Sequence, residues 1–243
     1  RIPRSLSRTS RSKREKYMSI ITADLTEGDI NQAIKLARAN YVELINKFVK
    51  PHGPTSSLCI AQVEAEVREY LLDALTGCYG GFVEAVLARD QERGALIGFT
   101  IVLRGNNPED CGISYTVVSA THRRQGILRE MLKGVQARYS HIGLSCNVDK
   151  VPYYEALGLH ITGSDCAQVA MCCGIDKPEA MMGALDFSLN SKIAEAMATF
   201  ERFHGAKAKG IFCKMGEIQE RRFEYVDGYV IKRLSGITHA DAL

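Results

Sequence analysis

Residues 117–128 read Val-Val-Ser-Ala-Thr-His-Arg-Arg-Gln-Gly-Ile-Leu, a hydrophobic strand end, then a polar turn, then a glycine that opens a helix. The start of a helix leaves backbone N–H groups unpaired, with the positive end of the helix dipole behind them. Gly126 lets an anionic group approach this backbone closely, and Arg123 and Arg124 add positive charge beside it. The stretch therefore predicts an anion site that suits a diphosphate.

Strand and helix patterns on both sides of this stretch predict a mixed sheet. A first strand is followed by two helices with apolar residues at helical spacing, at 18–25, 30–48 and 60–75. Three strands then indicate an antiparallel meander, and the chain continues as helix, strand, helix and strand, at 82–88, 95–103, 112–119, 126–139, 142–146, 150–157 and 166–173. We expect an α/β (α+β) fold, with a mixed, mostly antiparallel twisted sheet flanked by helices.

The pattern changes in the last quarter of the chain. A helix that ends at Gly205 is predicted from an apolar stripe that needs a partner surface, made by Ile193, Met197 and Phe200. Asp227–Gly228 between two runs rich in apolar and aromatic residues is typical of a β-hairpin. Its strands are predicted at 208–214 and 221–232.

Charge is distributed unevenly along the chain. Residues 1–17 hold seven basic side chains and one acidic side chain, so a formal net charge of +3 for the whole chain leaves −3 for residues 18–243. This body is not a basic nucleic-acid binder by composition. We expect residues 1–17 to be a disordered tail, which is a nucleic-acid or targeting arm, a solvated tail, or sequence upstream of a true start at Met18. Residues 18–175 then form one domain, and residues 176–243 form an extension packed on it.

Cysteine usage and hydropathy limit the class of protein. The eight cysteines contain no Cys-x-x-Cys pair, so the sequence predicts no metal site and no structural zinc. Several of them lie in apolar strands, where cysteine acts as a small hydrophobic residue, and this usage favours the reducing cytoplasm. No apolar window reaches the length of a membrane span.

A second polar segment begins about 20 residues after the first. Asn147 ends a strand, and a short helix follows that carries adjacent tyrosines, Tyr153 and Tyr154. A phenol beside a thiol leaving group can protonate the thiolate, whereas tyrosine on an apolar helix face more often belongs to the core. Adjacent helical residues point about 100° apart, so only one of the two can face a given atom, and Tyr153 is the candidate for the core.

The two segments together resemble the GNAT superfamily of acetyltransferases. Residues 123–128 are similar to its Gln/Arg-x-x-Gly-x-Gly/Ala signature through Gly126 and depart from it at Leu128, where a small residue is usual. The second segment is similar to the pattern Asn-x6-Tyr-Glu-x-x-Gly-Phe, at Asn147, Tyr154, Glu155, Gly158 and Leu159. The resemblance covers about residues 18–175 and not the extension.

The resemblance implies acetyl-CoA (coenzyme A) as the cofactor. It implies that the parallel strands 112–119 and 142–146 splay apart to admit the pantetheine arm. Cofactor contacts would come from Val117, Val118, Ser119, Arg123, Arg124, Gln125, Gly126, Ile127, Leu128 and Asn147. Tyr154 would be the general acid for the CoA thiolate.

The general base does not follow from either motif. Glu84, Tyr115 and His122 are available at strand or loop positions. Glu84 is preferred, because a carboxylate in an apolar strand can have a raised pKa that suits proton acceptance.

Three functions are consistent with the sequence. The first is acetyl transfer to an amine acceptor, a small molecule or a protein, with oligomeric state left open and a homodimer as one option. The second is a nucleic-acid (DNA base) modifying acyltransferase of phage type, with phosphate held by the tail and by the basic hairpin residues Arg221, Arg222, Lys232 and Arg233. The third is a non-catalytic fold that binds CoA. We favour the first.

Overall fold

The computed structural model describes residues 19–174 and 182–237. The predicted tail at 1–17 lies outside the described residues. In chain order the elements are β1 (Ser19–Thr22), α1 (Glu27–Ala39), α2 (Tyr41–Leu44), α3 (Ser56–Thr76), β2 (Val83–Asp90), β3 (Leu96–Arg104), β4 (Asp110–Val118), α4 (Ile127–Gln136), β5 (His141–Cys146), α5 (Val151–Glu155), β6 (His160–Asp165), β7 (Gln168–Cys173), α6 (Ser191–His204) and α7 (Lys207–Ile237).

The seven strands form one sheet in the order β1-β2-β3-β4-β5-β7-β6. Every neighbouring pair is antiparallel except β4 and β5, which are parallel. The prediction of a mixed, mostly antiparallel sheet flanked by helices is therefore confirmed.

Helices cover the two faces of this sheet. Side chains alternate between the faces of a strand, so Ala85 and Leu87 of β2 pack under α1 and α3, whereas Val86 and Ala88 pack under α4. Because β3 and residues 85–88 of β2 are buried on both faces, these stretches read as nearly continuous apolar runs. This places α3 and α4 on opposite sides of the sheet.

The predicted C-terminal hairpin is wrong. Residues 207–237 form a single helix, and Asp227–Gly228 lies within it. Val226 and Val230, one helical turn apart, are buried in a cluster with residues of β6 and β7, while Asp227 and Gly228 are exposed. Tertiary packing of this apolar stripe thus overrides the local turn preference of the Asp-Gly pair.

Two further elements differ from the sequence prediction, a strand that it lacks and a helix that it leaves unbroken. Strand β6 was not predicted, and it pairs with β7 across a tight turn at residues 166–167. Polar and exposed residues at 164–165 and its place at the sheet edge hide its strand character. The first predicted helix is interrupted at Asn40, which separates α1 from α2.

The described residues contain no helix that is both long enough and apolar enough to cross a membrane.

Candidate active site

Strands β4 and β5 separate part of the way along their length. Their parallel register runs from Asp110 opposite His141 to Ile113 opposite Leu144, while β4 continues to Val118. The β3–β4 register shifts beside this point, so Ser114 is an extra residue in β4, and such a bulge bends its strand. The edge of β4 beyond Ile113 faces the gap between the strands, as the resemblance implied.

A cleft of about 470 Å³ occupies this gap and opens at the start of α4, and we name it the α4 cleft. It is lined by most of the residues predicted to contact a cofactor: Val117, Val118, Arg123, Arg124, Gly126, Ile127, Leu128 and Asn147. The other two, Ser119 and Gln125, lie beside the cleft in the turn before α4. The Ser119 hydroxyl bonds the Thr121 hydroxyl, and the Gln125 side-chain amide donates to the Thr121 carbonyl.

The turn before α4 exposes backbone to the cleft. Gly126 is the N-cap of α4 with φ of +85°, and a Cβ built there meets no atom within 4 Å. The first hydrogen bond of the helix runs from the N–H of Glu130 to the carbonyl of Gly126, at 3.1 Å. The N–H groups of the preceding first turn are thus those that a helix leaves without intrahelical partners. This geometry is that of an anion-binding helix start.

Basic side chains surround this helix start. Arg123 donates through Nη2 to Oδ1 of Asn40 and through Nε to the carbonyl of Val118, so it anchors the turn to α1 and β4. Arg124 is exposed. Lys150 lies 2.6 Å from Glu43 at the rim, and its hydrogen bond lowers the pKa of that carboxyl.

Asn147 holds the end of β5 in place. It is buried, its Nδ2 donates to the carbonyl of Ile45, and its Oδ1 accepts from the N–H of Lys47, both at 3.4 Å. The side chain therefore ties the wall of the α4 cleft to the segment after α2.

Tyr154 lines the α4 cleft and packs against a buried cluster that includes Cys146. Burial is the main reason that the pKa of Tyr154 lies above its ordinary value of 10, with smaller contributions from Cys146 and Tyr153. The hydroxyl therefore keeps its proton at neutral pH and can donate it. Tyr153 is 51% exposed, so its assignment to the core was wrong.

A second cleft, of about 990 Å³, lies on the α3 side of the sheet, and we name it the α3 cleft. Its walls come from α3, from β4 to β7, and from the C-terminal helices, which contribute Ile193, Met197, Phe212 and Met215. The two clefts share Leu44, Ile113, Ser114, Tyr115, Leu144, Ser145 and Gln168. They therefore meet where β4 and β5 separate.

Glu66 of α3 stands at this junction. Its Oε2 accepts a hydrogen bond of 2.5 Å from the Tyr115 hydroxyl, and its Oε1 accepts one of 2.7 Å from Gln62. Burial, and then the charge of Glu66, raise the pKa of Tyr115 well above its ordinary value, so the phenol stays neutral. Sequence reasoning missed Glu66. The available signal was a carboxylate between Val63 and Tyr70 on the apolar face of a helix.

Glu84, the base preferred from the sequence, lies outside the described lining of both clefts. It faces the α4 side of β2, where its carboxylate accepts hydrogen bonds from Arg138 and, at 2.8 Å, from the Tyr139 hydroxyl. These contacts fix the end of α4 on the sheet. Of the other two candidates, Tyr115 lies at the junction, and His122 lines the α4 cleft beside Thr121.

Metal-binding clusters of three or more His, Cys, Asp or Glu side chains are absent from residues 19–174 and 182–237.

Comparison with known proteins identifies structures of similar fold and low sequence identity. The sequence matches no family model, and no curated protein matches it. The structure resembles the PaiA N-acetyltransferase from Thermoplasma acidophilum in complex with coenzyme A, with a TM-score of 0.52 and 12% identity over 65% of this chain and 99% of that chain.

Two further solved structures are similar at lower scores. A putative acetyltransferase of the GNAT family from Desulfovibrio desulfuricans has a TM-score of 0.48 and 12% identity over 65% of this chain and 99% of that chain. An aminoglycoside 6′-N-acetyltransferase complexed with coenzyme A has a TM-score of 0.47 and 18% identity over 66% and 99%. The sheet order, the splayed parallel pair and the likeness to the PaiA enzyme show that this chain has the GNAT fold.

Proposed function

We propose that this protein is an N-acetyltransferase that moves an acetyl group from acetyl-CoA to an amine. The observation that carries the proposal is the meeting of two clefts where β4 and β5 separate. A donor in the α4 cleft and an acceptor in the α3 cleft would have their reactive atoms brought together there, and such positioning is a large source of rate in a direct transfer.

The α4 cleft fits coenzyme A. Its diphosphate suits the helix start at Gly126, where a side chain would occupy the open space, and the exposed Arg124 supplies positive charge. The edge of β4 from Ser114 to Val118 offers backbone groups to the amides of the pantetheine arm. Leu128 replaces the usual small residue and packs partly into the core, so it narrows this end of the cleft. The PaiA structure, which holds coenzyme A, supports this choice of cofactor.

Tyr154 is the proposed general acid. Acetyl-CoA, when bound, supplies an activated thioester, and Tyr154 holds a proton on the cleft wall for the departing sulfur. Asn147 fixes the end of β5, and with it the start of the segment that leads to α5, against residues 45–47.

The extension belongs to the catalytic unit in this proposal. Residues 18–175 supply the acyl-CoA site, and residues 176–243 complete the acceptor side, because α6 packs on α3 and both C-terminal helices line the α3 cleft. The nucleic-acid alternative relied on basic residues of the predicted hairpin, and these residues instead lie on α7. Arg233 bonds Glu155 and Tyr229, and Arg222 stacks on Tyr225.

The test is a screen of amines that follows free thiol released from acetyl-CoA, together with the melting temperature of the protein with and without coenzyme A. We expect amine-dependent thiol release and a raised melting temperature. Stabilisation without thiol release over the whole panel would indicate a non-catalytic fold that binds CoA. A salt-sensitive affinity for duplex DNA would favour the nucleic-acid alternative.

A further inference from the structure

The α3 cleft is negatively charged. Among the described residues that line it, Glu66 and Asp165 are carboxylates, and there is no lysine or arginine. The α4 cleft, in contrast, is lined by Arg123, Arg124 and Lys150 together with the carboxylates Glu43 and Asp149, both of which pair with Lys150. The charged side chains of the α3 cleft therefore favour a cationic ligand, whereas the α4 cleft has a small basic excess.

The walls of the α3 cleft are mostly apolar. Four of the seven methionines of the chain line it, together with two phenylalanines: Met171, Met182, Met197, Met215, Phe48 and Phe212. Methionine is unbranched and polarizable, and surfaces rich in it adapt to apolar ligands of different shape. Burial of an apolar body in this cleft therefore makes the free energy of binding more favourable than burial of a polar one.

Glu66 is the acid placed for recognition at the junction. It is half-buried, and the partners that the structure gives its carboxylate, Tyr115 and Gln62, are neutral donors. These bonds orient the carboxylate without cancelling its charge, so a cation that reaches it forms a charge-assisted bond in a partly desolvated place. Asp165 is exposed at the rim, where solvent weakens its attraction.

We infer that the acceptor is a primary amine on an apolar body, with its ammonium group on Glu66 and its body against the methionine-rich wall. This inference rests on the proposed function. The Glu66 carboxylate takes one proton from the ammonium and releases it to solvent, which leaves a neutral amine. A nitrogen–carbon bond forms at the thioester carbon, and the carbon–sulfur bond then breaks. The thiolate takes the Tyr154 proton, and the second nitrogen proton restores the phenol.

The experiment compares hexylamine and benzylamine with spermidine and kanamycin, at saturating acetyl-CoA, in the native chain and three variants. Glu66→Gln removes the charge but keeps the shape, and Glu66→Asp keeps the charge. Glu64→Gln is the matched control on the same helix, because Glu64 bonds Arg38 and is outside the described lining of both clefts. Circular dichroism and melting temperature verify the fold of each variant.

We expect kcat/KM to be at least about tenfold higher for the two apolar amines than for spermidine or kanamycin. Glu66→Gln should lower kcat/KM for the apolar amines by about 100-fold, Glu66→Asp should restore part of it, and Glu64→Gln should leave it unchanged. In the CoA-saturated protein, hexylamine should raise the melting temperature of the native chain and not that of Glu66→Gln.

Preference for spermidine or kanamycin would overturn the apolar class while acetyl transfer stands. Full activity of Glu66→Gln would overturn the role of Glu66. Absence of thiol release with every amine would overturn the proposed function, and the melting experiment would then decide the binding inference: equal shifts in the native chain and Glu66→Gln, or no shift in either, refute it.

Discussion

The α4 cleft and the α3 cleft meet at one gap in the sheet, but the residues that line the first are close together in the sequence and those that line the second are far apart. Two short segments, 113–128 and 144–154, supply almost all of the α4 cleft. The α3 cleft takes its walls from segments spread between Leu44 and Met215. A site made of contiguous backbone can be recognised from the sequence, whereas a site made of side chains from many elements needs the packed structure.

The clefts also differ in the groups that they offer to a ligand. In the α4 cleft the main features are backbone: a helix start at Gly126 and an unpaired strand edge on β4. In the α3 cleft they are side chains: the Glu66 carboxylate and a flexible apolar wall. Backbone recognition suits a constant cofactor, and side-chain recognition can be adapted to a particular acceptor.

The largest effect is expected from Gly126→Glu, which places a bulky anion at the helix start. Coenzyme A should no longer raise the melting temperature, although the protein remains folded. Gly126→Ala is the control, because it introduces the strain of φ +85° but its Cβ meets no atom within 4 Å. The alanine variant should lose about 1–2 kcal/mol of stability and keep part of the coenzyme A effect. A normal shift with Gly126→Glu would refute the assignment of the α4 cleft.

The next effect concerns the acid. Tyr154→Phe should lower kcat by about 100-fold and leave the affinity for acetyl-CoA nearly unchanged, because only the proton donor is removed. Tyr153→Phe is the matched control, since Tyr153 also lines the α4 cleft but is 51% exposed. Steady-state kinetics measure the change in kcat, and coenzyme A titration measures the change in cofactor affinity. Equal losses in both variants would indicate damaged packing, and no loss in Tyr154→Phe would mean that another group protonates the thiolate.

A smaller and more selective effect is expected from Met197→Lys. A cation in the wall of the α3 cleft repels an ammonium, so KM for the amine should rise by about tenfold, equivalent to about 1.4 kcal/mol, while KM for acetyl-CoA stays constant. Ala198→Lys is the control, because Ala198 is exposed on the same helix outside the described lining of the cleft. An equal change in both KM values would show that the two clefts are not independent.

The smallest effect is an expected constancy with pH. A general acid is lost as the pH rises through its pKa, and burial places the pKa of Tyr154 above its ordinary value of 10. The ratio of kcat between the native chain and Tyr154→Phe should therefore stay constant from about pH 7 to pH 10. Rates corrected for spontaneous thioester hydrolysis check this. A ratio that falls towards one below pH 10 would contradict the role of Tyr154.

Individual residues show where sequence reasoning succeeded and where it failed. The segment around Gly126 was predicted because a strand, a polar turn and a glycine-started helix are local features. Glu84, preferred from the sequence, lies outside the described lining of both clefts. Strand alternation places its side chain on the α4 side of β2, where it pairs with Arg138. The position of Glu66 on the apolar face of α3 is visible in the sequence, but its hydrogen bond from Tyr115 of β4 appears only in the folded chain.

The sequence by itself determined the order of strands and helices through residue 173, apart from β6 and the break at Asn40. It also determined the helix that ends before Gly205 and the position of the helix start at Gly126. These follow from periodicity and from backbone geometry, which act over a few residues. Tertiary structure decided the rest. The helical state of residues 207–237, the methionine-rich wall and the Glu66–Tyr115 pair all depend on contacts between segments distant in sequence. Burial of apolar stripes sets those contacts, and a local pattern does not specify the surface on which a stripe will pack.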